Sequence, residues 1–541
     1  MPERVRLGRS ADVLGPCRTP ETNYPVRVTP RRYPGGIRFP RQPSDGRRAS
    51  LIEVSALARV VILGAGIAGH TAALYLRRWL SREHEVVVVS PSATWNWIPS
   101  NIWVGVGKMR PEKVLIPLAP IYRRKKVVFH QGLATTIFPE GTAQDSTPQV
   151  EYTRTDADHE GETERVGYDY LVNATGPRLN FAATPGLGPD GYSQSVCTAR
   201  HAVKAAEALE ATIARLAAGE RQRLVIGTGH GTCTCEGAAF EYTLNVEHVL
   251  RTRGVRDLAE VVYLTNEHEL GDFGMGGMHF VQRGFDQSSQ TWTESLFHER
   301  GVRAITQAHV QEVMDGRLRY EQLDGQEREL EFDFAMLLPP FRGADLTAFD
   351  RDGEDITATL FAPSGFLKVD ADYTTKPYEE WSAADWPHTY ESPAYPNIFA
   401  PGIAFAPPHQ ISRPRTSAKG TVITPSPPRT GMPSGIMART VAETVRDRIA
   451  AGGPTKAHGA SMATMGAACV ASAGTGWRTG SAASITMYPV VPNYATHPAN
   501  GRDVRGTSGE IGLAGHWIKA MLHFLFIYKA KARPFWYLIP E

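Results

Sequence analysis

The sequence predicts an α/β protein in which two parallel sheets carry helices on their faces, followed by a C-terminal amphipathic helix. Arg59–Leu63 is a short β-branched run that passes directly into Gly64-Ala-Gly-Ile-Ala-Gly69, and Arg223–Gly229 repeats the strand and glycine turn further along. A strand, a glycine turn and a helix in succession are typical of the Rossmann fold, so we expect two Rossmann-like domains in tandem. His516–Glu541 combines apolar, basic and aromatic residues, as interfacial helices do.

The composition is that of a globular chain. The 541 residues include 58 Lys and Arg against 56 Asp and Glu, a formal net charge of +2, and five cysteines. Because the charges balance, bulk charge gives no support to nucleic-acid binding, and we expect no nucleic-acid partner. No apolar run approaches the roughly 18 residues of a membrane span. Five cysteines are too few for a disulfide scaffold, so an important cysteine is expected to be catalytic, redox-active or buried.

Residues 1–57 differ from the rest of the chain. They are rich in arginine and proline and show no hydrophobic periodicity, so we predict a disordered leader. The segment lacks the apolar core of a secretory signal. Beyond it we predict a first dinucleotide-binding domain made from two segments, a second Rossmann-like domain with a cysteine loop, and a C-terminal region: residues 58–200 with 356–470, 201–355, and 471–541.

The first glycine turn has the spacing of a dinucleotide-binding site. Gly64 allows the tight turn, Gly66 lets the backbone approach a pyrophosphate, and Gly69 lets the helix pack closely on the strand. The helix N-terminus then faces the phosphates. The next strand should end in an acidic residue for the ribose hydroxyls, but Ser90 and Pro91 stand there, so this contact is uncharged. The turn residues expected at the cofactor are Gly64, Gly66, Ile67, Ala68 and Gly69.

Two later strands end in small residues and indicate that the dinucleotide is FAD. Tyr168–Gly176 closes with Ala-Thr-Gly, and Asn397–Gly402 closes with Ala-Pro-Gly. Small residues at both ends let the backbone pass close to the cofactor. The second Rossmann-like unit differs, because His230–Cys235 replaces a clean phosphate turn with a thiol-bearing loop that suits the NAD(P) pyrophosphate poorly. We therefore expect this unit to supply chemistry rather than to hold a nicotinamide.

Six segments in order along the chain carry a family resemblance. The cysteine loop reads Cys233-Thr-Cys-Glu-Gly-Ala-Ala-Phe-Glu-Tyr242, and Cys197 is followed by His201. The remaining segments are Trp95–Asn101, Asn397–Ala406, Pro428–Gly431 and the C-terminal helix with its closing KAKARPFWYLIP. Together they resemble the sulfide:quinone oxidoreductases and the related flavocytochrome c sulfide dehydrogenase flavoproteins, over about residues 58–541.

The resemblance implies an enzyme that oxidises hydrogen sulfide to polysulfide or sulfur through cysteines, with electrons passed by way of FAD to a membrane quinone. FAD is expected to be non-covalent, because the segment Trp97–Ser100 offers no cysteine to tether it. No metal-ligand pattern is present in the sequence, so no metal is predicted. Beyond the first turn, the residues implied at the flavin are Ser90, Pro91, Trp97, Ser100, Asn101, Ala174, Thr175, Gly176, Gly402, Ile403, Arg429, Thr430 and Gly431.

The assignment of the cysteines stays open at this stage. The resemblance places Cys235 nearest the flavin and makes Cys197 an accessory cysteine. Family members usually have a partner cysteine near the segment that here reads Pro428-Arg-Thr-Gly431, and this segment has none. The partner of Cys235 is therefore Cys197, Cys233 or Cys469, in that order of preference. His201 is a candidate for proton transfer.

Two other functions compete with sulfide oxidation. A type II NADH:quinone dehydrogenase would have the same fold but should keep an intact second glycine turn. A slow flavoprotein that senses sulfur would explain the missing cysteine. In either case the C-terminal helix predicts a peripheral, monotopic membrane protein, and the few cysteines and missing export signal favour the cytoplasmic face of the inner membrane. The sequence leaves open whether identical chains associate.

Overall fold

The computed structural model describes residues 57–234, 236–282, 284–428 and 430–541. Nearly all of the predicted leader, together with Cys235 and Arg429, lies outside these described residues.

Within the described residues the chain forms alternating strands and helices. The strands, in chain order, are β1 Arg59–Leu63, β2 Glu85–Ser90, β3 Thr94–Asn96, β4 Leu115–Pro117, β5 Val128–Phe138, β6 Gln149–Arg154, β7 Thr163–Gly167, β8 Tyr170–Asn173, β9 Arg178–Leu179, β10 Gln222–Thr228, β11 Ala259–Leu264, β12 His279–Gln282, β13 Phe285–Ser288, β14 Val302–Ile305, β15 Ala308–Met314, β16 Arg317–Gln322, β17 Glu327–Glu331, β18 Phe334–Leu338, β19 Phe341–Arg342, β20 Thr347–Ala348, β21 Ile398–Phe399, β22 Ala467–Ser472, β23 Ala482–Met487 and β24 Ser508–Gly512. The α-helices are α1 Ile67–Trp79, α2 Asn101–Gly105, α3 Ala119–Lys125, α4 Ala199–Ala217, α5 Glu236–Thr252, α6 Ser289–Arg300, α7 Thr357–Leu360, α8 Gly431–Ala451 and α9 Leu513–Ala530. Short 3-10 turns are Ile98–Ser100, Pro111–Lys113, Phe181–Ala183, Arg256–Leu258, Tyr378–Glu380, Ala383–Asp385 and Trp536–Leu538.

The largest sheet has the order β21-β8-β1-β2-β5-β6-β7, with β20 beside β5. Its central strands run parallel, and β6 and β7 continue the sheet antiparallel. The central strand β1 is Val-Val-Ile-Leu after its first residue, and these four side chains are fully buried. β-branched runs of this kind are typical of a parallel strand covered on both faces. Helix α1 packs on α8 beside this sheet.

A second parallel sheet has the order β14-β11-β10-β18. An antiparallel meander of β15, β16 and β17 follows between its strands. All four strands of the second sheet lie in the sequence between strands of the first sheet. The α/β fold with Rossmann-like units predicted from the two glycine turns is therefore confirmed.

The C-terminal part adds a three-stranded antiparallel sheet of β22, β23 and β24, followed directly by α9. A buried ion pair between Lys519 and Glu241 joins α9 to α5. The aromatic rings of Trp97 and Phe526 stack with their centroids 4.9 Å apart. These contacts hold α9 against helix α5 of the second sheet and against the loop after β3. Among the described residues, no helix combines the length and apolar character that crossing a membrane requires.

Candidate functional site

The first glycine turn is packed so tightly that two of its glycines admit no side chain. Gly64 has φ +89°, and a Cβ atom there would lie 2.4 Å from the carbonyl oxygen of Ala174. A Cβ atom at Gly69 would lie 1.9 Å from the carbonyl oxygen of Gly64. At Gly66, by contrast, a Cβ atom would meet nothing within 4 Å. The backbone of Gly66 therefore borders open space at the N-terminus of α1, where a phosphate would be held.

Three other predicted segments converge on the same helix N-terminus. Gly402 has φ +80°, and a Cβ atom there would lie 2.8 Å from the Cβ of Ala68. A Cβ atom at Gly431 would lie 3.0 Å from Cδ1 of Ile67, so the N-termini of α1 and α8 approach each other. Ala174 donates its backbone N–H to Leu63 at 2.8 Å, which places the chain after β8 beside the turn. The structure thus brings together segments that are far apart in the sequence.

A cavity opens next to this convergence. Several of its lining residues belong to the predicted cofactor segments, and the rest are apolar or small. The lining residues are Trp386, Gly402, Ile403, Phe405, Pro427, Pro428, Thr430, Pro433, Ser434, Met437 and Met462. Small residues at the turn, two helix N-termini and a mostly apolar wall fit a dinucleotide with a flat aromatic end.

The remaining predicted cofactor residues occupy defined positions. Ser90 is buried at the end of β2, beside the turn, because β1 and β2 pair Leu63 with Val89. Pro91 is exposed. Thr175 donates its hydroxyl to the side chain of Asn173 at 2.8 Å. Gly176 has φ +68° and open space at its Cβ position.

The segment after β3 connects the cofactor region to α9. Ser100 and Asn101 are buried. The hydroxyl of Ser100 lies 2.9 Å from Nδ1 of His523 on α9. Asn101 donates to the carbonyl of Val196 at 3.2 Å, next to Cys197. Their polar atoms are thus used within the protein, so these two residues position the site.

The second glycine turn is closed by protein atoms. A Cβ atom at Gly229 would lie 2.5 Å from Cδ1 of Leu187, and one at Gly231 would lie 2.5 Å from the carbonyl of Val422. The backbone of Thr424 donates to Gly231 at 2.8 Å. We call residues 422–428 the covering segment. It packs against the turn that faces the pyrophosphate in a nucleotide-binding Rossmann unit, and the absence of a nicotinamide from this unit stays a prediction.

The covering segment also contacts the cysteine loop directly. Ser426 donates its backbone N–H to Cys233 at 2.9 Å and its hydroxyl to Thr232 at 2.9 Å. Thr234 donates its hydroxyl to Pro427 at 3.0 Å. Since Pro427 also lines the cavity, the cysteine loop and the cavity share one wall.

The three described cysteines of the folded region are free thiols. Cys233 is fully buried and donates its Sγ–H to the carbonyl of Leu338 at 3.0 Å. Cys469 lies on β22, and its Sγ is 3.6 Å from the Cβ position of Gly237. Burial raises the pKa of Cys197 and that of Cys469 to about 11. Burial, with the nearby carboxyl of Glu236, raises the pKa of Cys233 well above its usual range. All three are therefore protonated at neutral pH.

The histidines near the cysteines are neutral at pH 7. Helix α4 begins at Ala199 with Thr198 as its N-cap, so Cys197 precedes the helix and His201 lies in its first turn. The ring of His201 packs edge-on against Phe181, 5.8 Å between centroids, and burial lowers its pKa. Burial likewise lowers the pKa of His230 to about 4. Neither imidazole therefore supplies a positive charge that would lower a thiol pKa.

Buried carboxyl groups lie beside the cysteine loop, and the sequence analysis did not find them. Glu236 is fully buried, and neither carboxyl oxygen has a hydrogen-bond partner among the described residues. Burial, followed by the neighbouring Glu267, raises the pKa of Glu236 well above its usual range. Glu267 accepts hydrogen bonds from Thr265 at 2.8 Å and from the backbone of Phe273 at 2.9 Å. Burial raises the pKa of Glu267 to about 7. The only feature of the sequence that indicated this buried carboxyl group was an acidic residue directly after Cys235.

The two parallel sheets and the glycine turn at the start of α1 define a disulfide-reductase-like flavoprotein, and comparison with known proteins agrees. Residues 58–376 match the family of pyridine nucleotide-disulphide oxidoreductases, and the chain belongs to this family. It is similar to the sulfide-quinone reductase of Aquifex aeolicus (strain VF5), with 28% identity over 386 residues, which cover 71% of this chain and 75% of that protein.

Solved structures of two other proteins have a similar fold. The crystal structure of the sulfide:quinone oxidoreductase from Aquifex aeolicus superposes with a TM-score of 0.66 at 25% identity, covering 88% of this chain and 92% of that one. NDH2 from Plasmodium falciparum in complex with NADH superposes with a TM-score of 0.52 at 13% identity, covering 80% of this chain and 90% of that one. The latter likeness shows a shared fold only.

Proposed function

We propose that the protein is a sulfide:quinone oxidoreductase, an FAD-dependent enzyme that oxidises hydrogen sulfide to polysulfide or sulfur and reduces a quinone. One observation carries this proposal beyond the fold. The loop that would hold a nicotinamide carries cysteines instead and is closed by the covering segment, whose Pro427 also lines the cavity. The similarity to a sulfide-quinone reductase over most of both chains supports the same reaction and agrees with the predicted family resemblance.

FAD would be held non-covalently at the convergence of the two helix N-termini. Gly64, Gly66 and Gly69 leave the room that a pyrophosphate needs. Gly402, Thr430 and the neighbouring wall of the cavity would enclose the ring system. When bound, FAD would accept two electrons from the thiols and, once reduced, would donate two electrons to the quinone. The role of Arg429 at this site stays a prediction, because that residue lies outside the described part of the chain.

The sulfur chemistry would use Cys235 with Cys469 as its partner. The Sγ of Cys469 lies 3.6 Å from the Cβ position of Gly237, two residues after Cys235, which places this thiol against the cysteine loop and supports the pairing. In the oxidised enzyme Cys469, a free thiol in this structure, would be joined to Cys235 in a disulfide; hydrosulfide attacks one sulfur of this disulfide, and the S–S bond breaks. One cysteine becomes a persulfide and the other leaves as a thiolate. The sulfide sulfur is oxidised by two electrons, and the cysteine pair is reduced by two.

The quinone would reach the site from a lipid bilayer along α9. This helix exposes large apolar side chains and contacts the cofactor region through Ser100 and Trp97. An interfacial helix allows a lipid-soluble quinone to enter without crossing water. Peripheral, monotopic attachment at the cytoplasmic face of the inner membrane is part of this proposal.

An anaerobic titration tests the function. We expect sulfide to bleach the flavin absorbance near 450 nm and decylubiquinone to restore it. Cys235→Ser and Cys469→Ser should each abolish bleaching by sulfide, whereas Cys197→Ser should keep most of it. Bleaching by NADH but not by sulfide would contradict the proposal and favour an NADH:quinone dehydrogenase. Bleaching by sulfide without turnover would favour a sulfur sensor.

A further inference from the structure

The C-terminal helix presents a continuous apolar face to solvent. The exposed residues follow helical spacing along one side of α9, and Phe524 is the most exposed of them at 69%. Phe535 and Leu538 extend the same kind of surface beyond the end of the helix. The residues that we call the apolar face are Trp517, Ile518, Met521, Phe524, Leu525, Phe535 and Leu538.

A group of cations lies at the far end of this helix. Arg123, Arg124 and Lys125 form the last turn of α3, and Lys126 caps it in a left-handed conformation with φ +62°. No acidic residue interrupts Ala119–Lys126. We call the following set the basic rim: Arg78, Arg123, Arg124, Lys125, Lys126, Lys531 and Arg533.

The basic rim is unpaired. Within the described residues, none of its seven cations comes within 4.0 Å of a carboxylate oxygen, although ion pairs are frequent elsewhere on the surface. The cations also crowd one another, since Arg124 and Arg78 both contribute, after burial, to lowering the pKa of Lys125. Unpaired like charges held together raise the local positive potential and favour an anionic partner.

Specific contacts fix the basic rim relative to the apolar face. Arg124 donates to the backbone carbonyl of Lys531. Buried His70 lies 2.9 Å from the hydroxyl of Tyr122 on α3 and 2.8 Å from the carbonyl of Ala530 at the end of α9. The guanidinium of Arg78 stacks on the ring of Tyr537, 3.3 Å from its centroid. The two surfaces therefore act as one unit.

We propose that the apolar face and the basic rim together form a surface that selects bilayers with anionic headgroups. Apolar side chains would enter the acyl boundary, while the cations would contact lipid phosphates and carboxylates. An acidic protein would satisfy the rim but would leave the large apolar side chains of α9 unmatched, so a lipid surface fits both features. The inference rests on the proposed function, in which the quinone arrives from a membrane, and adds the chemistry of that membrane.

Vesicle binding of the flavin-loaded protein tests the inference. The vesicles contain either phosphatidylcholine alone or about one third phosphatidylglycerol, at low salt and at high salt. The rim variant carries Arg123→Ser, Arg124→Ser, Lys125→Ser and Lys126→Ser. The matched control removes four paired surface cations through Arg317→Ser, Arg319→Ser, Arg328→Ser and Lys419→Ser. Flavin content checks that each variant is folded.

We expect the unmodified protein to bind the anionic vesicles at least about tenfold more tightly than the neutral ones at low salt, since each cation near an anionic surface contributes about fivefold. The rim variant should lose most of this difference in affinity, and the control variant should keep it. High salt should remove the difference from the unmodified protein and from the control variant. Equal binding to both vesicles, or an equal loss in the control, would overturn the inference.

A second copy of the chain covering the surface would also overturn it. In that case sedimentation without lipid would show a dimer that dissociates in the rim variant. Sulfide-dependent reduction of decylubiquinone in the absence of vesicles is measured separately, so failure of the proposed function is distinguished from failure of lipid selection.

Discussion

Removal of the lysine from the buried ion pair between Glu241 and Lys519 is expected to destabilise the protein strongly. Their side chains are 8% and 7% exposed. Oε1 of Glu241 also accepts hydrogen bonds from Ser472, at 3.1 Å from its backbone nitrogen and 2.6 Å from its hydroxyl. In Lys519→Met the carboxylate would stay buried with only these two donors. Loss of one partner from a buried pair costs about 3–5 kcal/mol, and the donors of Ser472 favour the lower end, about 3 kcal/mol.

A double-mutant cycle measures the coupling. The variant Glu241→Gln with Lys519→Met removes both charges, so it should be at least about 1 kcal/mol more stable than the sum of the two single changes predicts. The free energy of unfolding is measured by urea titration, followed by tryptophan and flavin fluorescence. The exposed pair of Lys419 and Glu327, about half exposed on each side, is the control, and its coupling should stay below about 1 kcal/mol. A coupling at the buried pair no larger than this control would refute the reasoning.

Three further predictions follow from the described geometry. Gly64→Ala should leave the purified protein without flavin, measured by its absorbance, because the new Cβ would lie 2.4 Å from the carbonyl of Ala174. Gly66→Ala should also lower the flavin content, because its Cβ would enter the open space where the phosphate would be held; full flavin content in this variant would contradict the placement of the cofactor. The raised pKa of Glu236 means that the folded protein holds this proton more tightly than the unfolded chain, so stability falls as the pH rises above about 4.5. Glu236→Gln removes the titrating group and should flatten the slope of melting temperature against pH. An unchanged slope would contradict the assignment. Burial lowers the pKa of His70 from 6.5 to about 4, so stability is lost as the pH falls below 6.5, by about 3 kcal/mol at pH 4. In His70→Asn the free energy of unfolding, measured by urea titration, should therefore fall less steeply between pH 6.5 and pH 4. An unchanged fall over this pH range would argue against the assignment.

The geometry of the first glycine turn, which the sequence predicted, depends on a short stretch of residues. The turn from Gly64 to Gly69 is recognisable because strand, turn and helix are adjacent in the chain, and their packing follows from steric limits at each glycine. The departure of the second turn from a phosphate-binding glycine turn was also visible in a short stretch of sequence, since bulky and thiol-bearing residues follow Gly229. Local chemistry of this kind leaves a pattern that a sequence alone displays.

The features of the site that the sequence left open or missed depend on long-range packing. Cys469 stands among alanines, and only the folded chain brings its Sγ next to Gly237. Only the folded chain likewise brings the carboxyl group of Glu267 close enough to raise the pKa of Glu236. The covering segment closes a turn that lies almost 200 residues earlier, through backbone hydrogen bonds that leave no signature in residue type. Motifs therefore locate the glycine turn, but they do not decide whether Cys197, Cys233 or Cys469 is the partner of Cys235.

The position of Cys469 on β22 has a consequence for biosynthesis. A nascent chain that has emerged as far as α8 already contains every strand of both parallel sheets, including the cysteine loop at the start of α5. It still lacks β22, and it therefore lacks the thiol of Cys469, which packs beside Gly237 in the folded protein. The ribosome-bound chain therefore contains the predicted cofactor segments up to α8 but lacks one of the two thiols proposed to react. Reaction at the proposed pair of Cys235 and Cys469 would therefore begin only after β22 has been synthesised and has packed against α5.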